Sequence, residues 1–371
     1  MTIIDYIFAG VFSFLVGICF VPIIIWVARK FNIIDKPNLE RKIHKKNTPL
    51  LGGLAIYLTV NIVTAVYYFF SSTLVYKNLL PKHLLGVAIG GLIIMIGGFL
   101  DDKYDLKPKF QLLFPALAIV AVIISGIGID WITNPMNSSE LVRLDTYKLN
   151  VLWFQGLPYR LTLLADFFTL IWLMMMVYTT KLLDGLDGLV GSVTLIGGVF
   201  IFINALMSKN PQVDVALITI IFVGAVLAFL LYNFNPAKIF QGEGGSLYAG
   251  FMLGVLSIIS GSKVSITLII MGIPLLDMLW TIIRRLLEGR NPLSSSDKKH
   301  LHHRLLGVGF SVRQSVLILA GISLVLGVSA IVLQQFSFGL MIVGLMVLII
   351  FILLTGILYK IISEKSDSKL D

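Results

Sequence analysis

The sequence predicts an all-α, polytopic membrane protein of about eleven transmembrane helices, with the N-terminus outside and the C-terminus cytoplasmic. Three observations carry that prediction. The 371 residues are 57% hydrophobic and only 13% charged, where a soluble globule would carry roughly twice that charge. Apolar runs long enough to cross a bilayer recur along the whole chain. Lysine and arginine fall mostly in alternate loops between those runs, the bias that orients membrane helices.

The runs lie at 3–28, 50–70, 84–100, 110–129, 161–180, 188–207, 213–232, 246–261, 264–287, 314–333 and 338–361. The first lacks a basic leader and is long, so it reads as a retained span and not a cleaved signal peptide. Loop 130–160 is the one sizeable outer loop, and within it "LVRLDTYKLNVLWF" alternates as a short hairpin would. With the N-terminus outside, inner loops hold roughly 22 of the 29 basic residues and outer loops about 7. That bias accounts for much of the +9 net charge without a nucleic-acid partner. A single cysteine, Cys19, excludes an internal disulfide and a cysteine-based metal site. The chain reads as one transmembrane domain, 1–371, with cytoplasmic catalytic loops near 29–49, 101–109, 181–187, 233–246 and 284–313.

All the unusual polar clusters fall on those inner loops, which points to one site at the membrane surface. In "GGFLDDKYDLKPK", Asp101 and Asp105 share a helix face, with Asp102 beside them. Three acids so close repel, and a divalent cation with oxygen ligands would relieve the repulsion; a solvated interfacial loop balanced by lysines is the plainer reading. "LLDGLDGL" repeats the device at Asp184 and Asp187, with glycines that suit a close ligand, tight helix packing or a simple helix start. "HLHHRL" gathers His300, His302, His303 and Arg304, better suited to phosphate than to zinc, although a solvated basic loop has the same composition. "NFNPAKIFQGEGGS" offers Asn233, Asn235 and Lys238 as polar contacts, glycines as room for a diphosphate, and Glu243 as a carboxylate. Asp277 lies inside a run, two turns before Arg284, where it could pair with Arg284 or Arg285 or face the site from behind.

The ordered set "DKPN…RKIH…TPLLGG", "GFLDDKYDLKPKFQLL", "LLDGLDGL", "NFNPAKIFQGEGGS", "PLLD…IIRR" and "HLHHRLL" resembles the polyprenyl-phosphate N-acetylhexosamine-1-phosphate transferases, glycosyltransferase family 4. The resemblance spans about three quarters of the chain, and the HLHH form is similar to the branch using UDP-N-acetylglucosamine and not the muramoyl-pentapeptide branch. It implies a bacterial plasma-membrane enzyme that starts lipid-linked glycan synthesis from a UDP-sugar and polyprenyl phosphate, with Mg²⁺, or Mn²⁺ in its place. It implies catalytic roles for Asp101, Asp102, Asp184, Asp187, His302 and His303, and metal ligation by Glu243, Asp102 and Asp187. Substrate contacts would come from Lys45, Lys46, Asp105, Lys181, Asn233, Asn235, Lys238, His300 and Arg304. Family members often form homodimers.

Two departures stand out. Glu243 stands where the family usually has a metal-binding aspartate, and Lys181 where it usually has asparagine. Lys181 could pair with Glu243 or Asp184. "PNLERK" is also one residue longer than the usual spacing. These departures keep a catalytically impaired homologue, or a transferase for another UDP-hexosamine, as alternatives. An intramembrane prenyltransferase would use Asp-rich repeats but not the NFNPA or HLHH loops, and a transporter would place its acids near mid-membrane.

Overall fold

A computed structural model describes residues 2–35, 37, 47–71, 74–75, 78–133, 141–146, 148–154, 157–208, 210–261, 264–290, 300–336 and 338–367. Lys45 and Lys46 lie outside the described residues.

Helices dominate, because in lipid every backbone N–H and C=O must be satisfied within its own segment. In chain order they are α1 (Ile3–Lys30), α2 (Gly52–Phe70), α3 (Pro81–Tyr104), α4 (Pro108–Ser125), α5 (Leu163–Leu183), α6 (Leu189–Met207), α7 (Val213–Asn233), α8 (Gly242–Ile259), α9 (Val264–Ile270), α10 (Gly272–Leu287), α11 (Leu301–Val308), α12 (Val312–Leu333) and α13 (Gly339–Asp367). Ten are long and apolar enough to cross a membrane, and α9 with α10 makes up to eleven if the pair counts as one span. The predicted run 264–287 is therefore not a straight helix: it bends by 76° between α9 and α10. The polar residues Asp277 and Thr281 and the apolar Leu279, Trp280 and Ile283 alternate around α10, a pattern of a helix with one polar face and one oily face.

Short strands close the loops. Strands β1 (Ile34–Asp35) and β2 (Thr48–Pro49) pair antiparallel on the side of the polar clusters. Loop 130–160 holds two hairpins: β3 (Trp131–Thr133) with β4 (Leu141–Arg143), and β5 (Lys148–Phe154) with β6 (Leu157–Thr162). The expected hairpin inside "LVRLDTYKLNVLWF" is thus corrected. Its two halves pair outward with flanking segments: Leu141–Arg143 with Trp131–Thr133, and Lys148–Phe154 with Leu157–Thr162.

Helix α8 is the hub, packed against α2, α3, α5 and α6. Between lipid-embedded helices close packing replaces the hydrophobic drive, and small residues allow it. A Cβ on Gly98 of α3 would collide with the backbone of Gly244, and one on Gly53 of α2 with the backbone of Gly245. The glycines of "QGEGGS" therefore serve helix contact, not room for a diphosphate. At the opposite end, the buried Asp214 carboxylate accepts backbone N–H groups of Asn78 (2.6 Å), Leu79 (2.9 Å) and Val215 (2.9 Å), tying loop 78–80 to α7.

Gly98→Leu should push α3 from α8, overpacking that costs about 1–3 kcal/mol. The expected result is a lower thermal-unfolding midpoint in detergent, with no change for Gly344→Leu, whose added Cβ meets no atom within 4 Å.

Candidate active site

The last turn of α3 meets the first turn of α8. The N–H of Glu243 donates to both oxygens of Asp102, at 3.1 and 3.2 Å. Helix N-termini leave unpaired N–H groups and carry partial positive charge, so a carboxylate there is stabilised. Asp101 points elsewhere. Its Oδ1 accepts the Leu106 N–H (2.8 Å) and the Gln111 Nε2–H (3.0 Å), which folds the turn between α3 and α4 back on itself. Asp105 closes that turn in the left-handed region (φ 49°) and is exposed.

Lys181, on the last turn of α5, reaches into this cluster. Its ammonium forms an ion pair with Glu243 and donates to Gln111 Oε1 at 2.9 Å. The pairing expected between Lys181 and Glu243 is present, and it means that the proposed metal ligand Glu243 already has a cation partner. Tyr178 stands one turn earlier, its OH donating to the Gln111 carbonyl at 3.4 Å and its ring 5.8 Å from the Lys181 ammonium.

The DGLDG turn follows directly. Asp184 opens onto the crevice yet has protein on its other sides; that burial, with Glu243 and Asp187 nearby, holds its carboxyl above the usual range, and a hydrogen bond with Ser246 offsets part of the rise. Asp187 Oδ2 accepts Asn235 Nδ2–H (3.0 Å) and the Ala237 N–H (3.2 Å). Asn233 is buried, and its amide is used by the fold: Oδ1 accepts the Gly188 N–H (3.0 Å) and Nδ2 donates to the Ile239 carbonyl (2.9 Å). It staples two loops, a fold role beside the substrate contact expected of it. Lys238 is exposed, with its ammonium 5.9 Å from the Tyr232 ring. The "TPLLGG" segment docks on the same loop through Phe240 N–H to the Pro49 carbonyl (2.8 Å) and Gly52 and Gly53 N–H to the carbonyls of Phe240 (3.0 Å) and Gln241 (2.8 Å).

Helix α11 closes the far side. His302 is buried, and a Cβ on Gly185 would strike its ring, so glycine in the DGLDG turn is the seat for His302. His300 is buried as well: its Nδ1 lies 2.9 Å from Asp277 Oδ2, and its ring stacks on His302 at 5.6 Å. Asp277 Oδ1 also accepts the Leu301 N–H at 3.1 Å, capping α11. Asp277 thus pairs with His300, the expected substrate contact, and holds its ring against His302. His303 and Arg304 are half-buried on the same helix, with the His303 ring 4.3 Å from that of His302.

Gln111, Ser246 and Arg313 escaped the sequence reading. Gln111 is a lone polar residue in "PKFQLLFPAL", a visible but unspecific signal. Arg313 Nε donates to the Asn235 carbonyl at 2.8 Å, joining α12 to the NFNPA loop. An apolar groove of about 420 Å³ runs between α2 and α3 and ends on Asp102, with Leu54, Leu92, Met95, Ile96 and Phe99 along it.

Fold and site together define an integral membrane protein with an acidic centre at one end of its bundle, reached by an oily groove. The family described as Glycosyl transferase family 4 matches residues 84–261. A probable undecaprenyl-phosphate N-acetylglucosaminyl 1-phosphate transferase of Bacillus subtilis strain 168 is 31% identical over 96% of this chain and 93% of its own length. A decaprenyl-phosphate N-acetylglucosaminephosphotransferase of Mycolicibacterium smegmatis is 30% identical over 79% of this chain and 74% of its own. An undecaprenyl-phosphate alpha-N-acetylglucosaminyl 1-phosphate transferase of Escherichia coli K12 is 27% identical over 79% and 74%. The chain belongs to glycosyl transferase family 4.

Burial lowers the basicity of His302, with His303 and His300 adding to the effect. The unfolded chain therefore binds this proton more readily, and the stability gained from neutral His302 is present above about pH 6.5 and lost as pH falls below it. His302→Gln should lower the unfolding midpoint at about pH 8, with the gap to the parent closing towards about pH 5.5. Thermal unfolding across that range checks it.

Proposed function

We propose that this protein transfers N-acetylglucosamine 1-phosphate from UDP-N-acetylglucosamine to polyprenyl phosphate in the bacterial inner membrane, with the acidic crevice facing the cytoplasm. The observation that carries the reading is the meeting of an apolar groove and a polar crevice on one residue, Asp102. A lipid acceptor and a water-soluble donor need such a junction. The head-proximal isoprene units would lie along Leu92, Met95 and Ile96, and the phosphate would stand at the groove's inner end.

A lipid phosphate oxygen attacks the β-phosphorus of the donor. The new P–O bond forms as the bond from that phosphorus to the bridging oxygen breaks, and UMP leaves with the bridging oxygen. The lipid phosphate has a second pKa near about 6, so it needs no strong base at neutral pH. Positioning and charge stabilisation do most of the work in such transfers.

Charge balance sets the problem: five carboxylates, Asp101, Asp102, Asp184, Asp187 and Glu243, surround a place where two anions must meet. The donor set suits Mg²⁺, which prefers oxygen ligands and typically takes one or two carboxylates plus substrate phosphates, so a three-ligand protein cage is not required. Among the described residues no such cage exists. Asp184, open to the crevice, would hold the ion together with one neighbouring carboxylate, Asp187 or Asp102, and the substrate phosphates. Bound there, Mg²⁺ (or Mn²⁺) would neutralise charge on the diphosphate. Asp101 holds the α3–α4 turn and Gln111; His300 and Asp277 hold α11 so that His303 and Arg304 border the site. Those two residues suit the donor phosphates, as donors to anions. Asn235 lies within the NFNPA loop and Lys238 directly after it, and Asp105 is exposed at the end of α3.

Membranes carrying the protein, given labelled UDP-N-acetylglucosamine, undecaprenyl phosphate and Mg²⁺, should release UMP and form a labelled lipid; no product with any UDP-N-acetylhexosamine sinks the reading. Asp102→Asn should cost about 10³-fold in turnover or more. Met95→Trp should raise KM for the lipid roughly tenfold and leave KM for the nucleotide sugar unchanged. An equal rise in both would remove the groove from the acceptor's path.

A further inference from the structure

Among the described residues, one amino-group cation, Lys181, is held among the acids of the centre, and its attachments are specific. Lys181 is anchored by Glu243 on α8 and by Gln111 on α4, and Gln111 in turn holds Asp101 on α3. Four helices, α3, α4, α5 and α8, therefore converge on one ammonium. A lysine ammonium has three N–H donors. Two are accounted for by Glu243 and Gln111, and the side chain keeps 18% exposure, so the third can reach the crevice.

Glu243 is committed in two directions. Its backbone N–H serves Asp102, and its carboxylate neutralises Lys181. A divalent cation on that carboxylate would sit against the ammonium and be repelled by it. Mg²⁺ also demands near-ideal octahedral geometry, and this carboxylate would have to meet it while one of its oxygens, Oε1, holds the ammonium. The cationic charge at this corner thus comes from the chain itself.

We propose that Lys181 is a built-in phosphate-binding cation of the donor site, anchored by Glu243 and Gln111, and that Glu243 is its anchor and not a ligand of a divalent metal. This deepens the transferase reading and rests on it: the phosphate contacted would be the diphosphate of the nucleotide sugar. Metal binding at Asp184 with Asp187 or Asp102 is then independent of Glu243 and opposed by Lys181. A lysine gives a compact point charge, so arginine would keep the charge but not the same fit between Glu243 and Gln111.

The test uses Mn²⁺ as the probe and the purified full chain in detergent, without substrates. Mn²⁺ affinity is read by electron paramagnetic resonance, and thermal unfolding confirms that each variant is folded. Glu243→Gln should leave Mn²⁺ affinity within about threefold of the parent, and the double change Lys181→Asn with Glu243→Asp should tighten it about tenfold by removing a like charge. Loosening of tenfold or more in Glu243→Gln, or no gain in the double variant, overturns the proposal. Should Glu243→Gln not fold, Lys181→Asn decides: tighter Mn²⁺ binding supports, unchanged or weaker binding overturns. In turnover, Lys181→Met should raise KM for UDP-N-acetylglucosamine about tenfold, with Lys181→Arg recovering part of the loss; an unchanged KM in Lys181→Met also overturns it. A parent protein without transferase activity would sink the functional reading, while the Mn²⁺ titrations would still judge the lysine.

Discussion

Everything at the acidic end depends on how closely α8 approaches α3. Gly244 touches Gly98 backbone to backbone, and that contact brings the Glu243 N–H onto the Asp102 carboxylate. Both partners gain. The helix start finds an acceptor where the bilayer offers none, and the acid finds a donor and a helix dipole. Larger residues at either glycine would separate the helices and leave a buried carboxylate and an unpaired amide together.

From that contact the other acids are distributed by the same rule, one donor set for each. Asp101 goes to the α3–α4 turn, Asp187 to the NFNPA loop, Glu243 to Lys181, and Asp277 to His300 and the start of α11. Like charges crowd without unfolding the end of the bundle because each is held by N–H groups or a cation. Asp184 is the acid left facing the crevice, with Ser246 beside it. A cluster built this way is rigid at its base and polar at its mouth, which suits receiving charged groups without rearrangement.

Much of this was legible in the sequence, for physical reasons. Hydropathy fixes helices in a membrane because the backbone has no alternative there, so the number and order of the spans were readable, with ends off by up to about four residues at α3, α4 and α8 and one run broken in two. The acids were readable because carboxylates beside apolar runs are costly and seldom idle. Partners were not. Asn233 looked like a ligand contact because its type suits one, and only the fold shows that its amide also ties Gly188 to Ile239. The glycines of "QGEGGS" fit two uses equally, and the packing of α8 chose between them. Gln111 lies ten residues from Asp101 across a turn whose geometry the letters do not encode. The 76° break before α10 has Met271 and Gly272 at the junction and Pro274 just beyond, whose missing N–H leaves the Ile270 carbonyl without its helical donor; hydropathy scores apolarity and not hydrogen bonds, so it ran straight through.

The contacts of the site have one more consequence, in the order of synthesis. Asp102 waits for Glu243, 141 residues later, Asp187 for Asn235, 48 later, and the Asn235 carbonyl for Arg313, 78 later. Gly185 meets His302 only when α11 has been made. A chain emerging from the ribosome therefore inserts its first acids well before their partners exist. The crevice closes from its C-terminal side, and the unfinished protein spends much of its synthesis with acids that still lack their final donors.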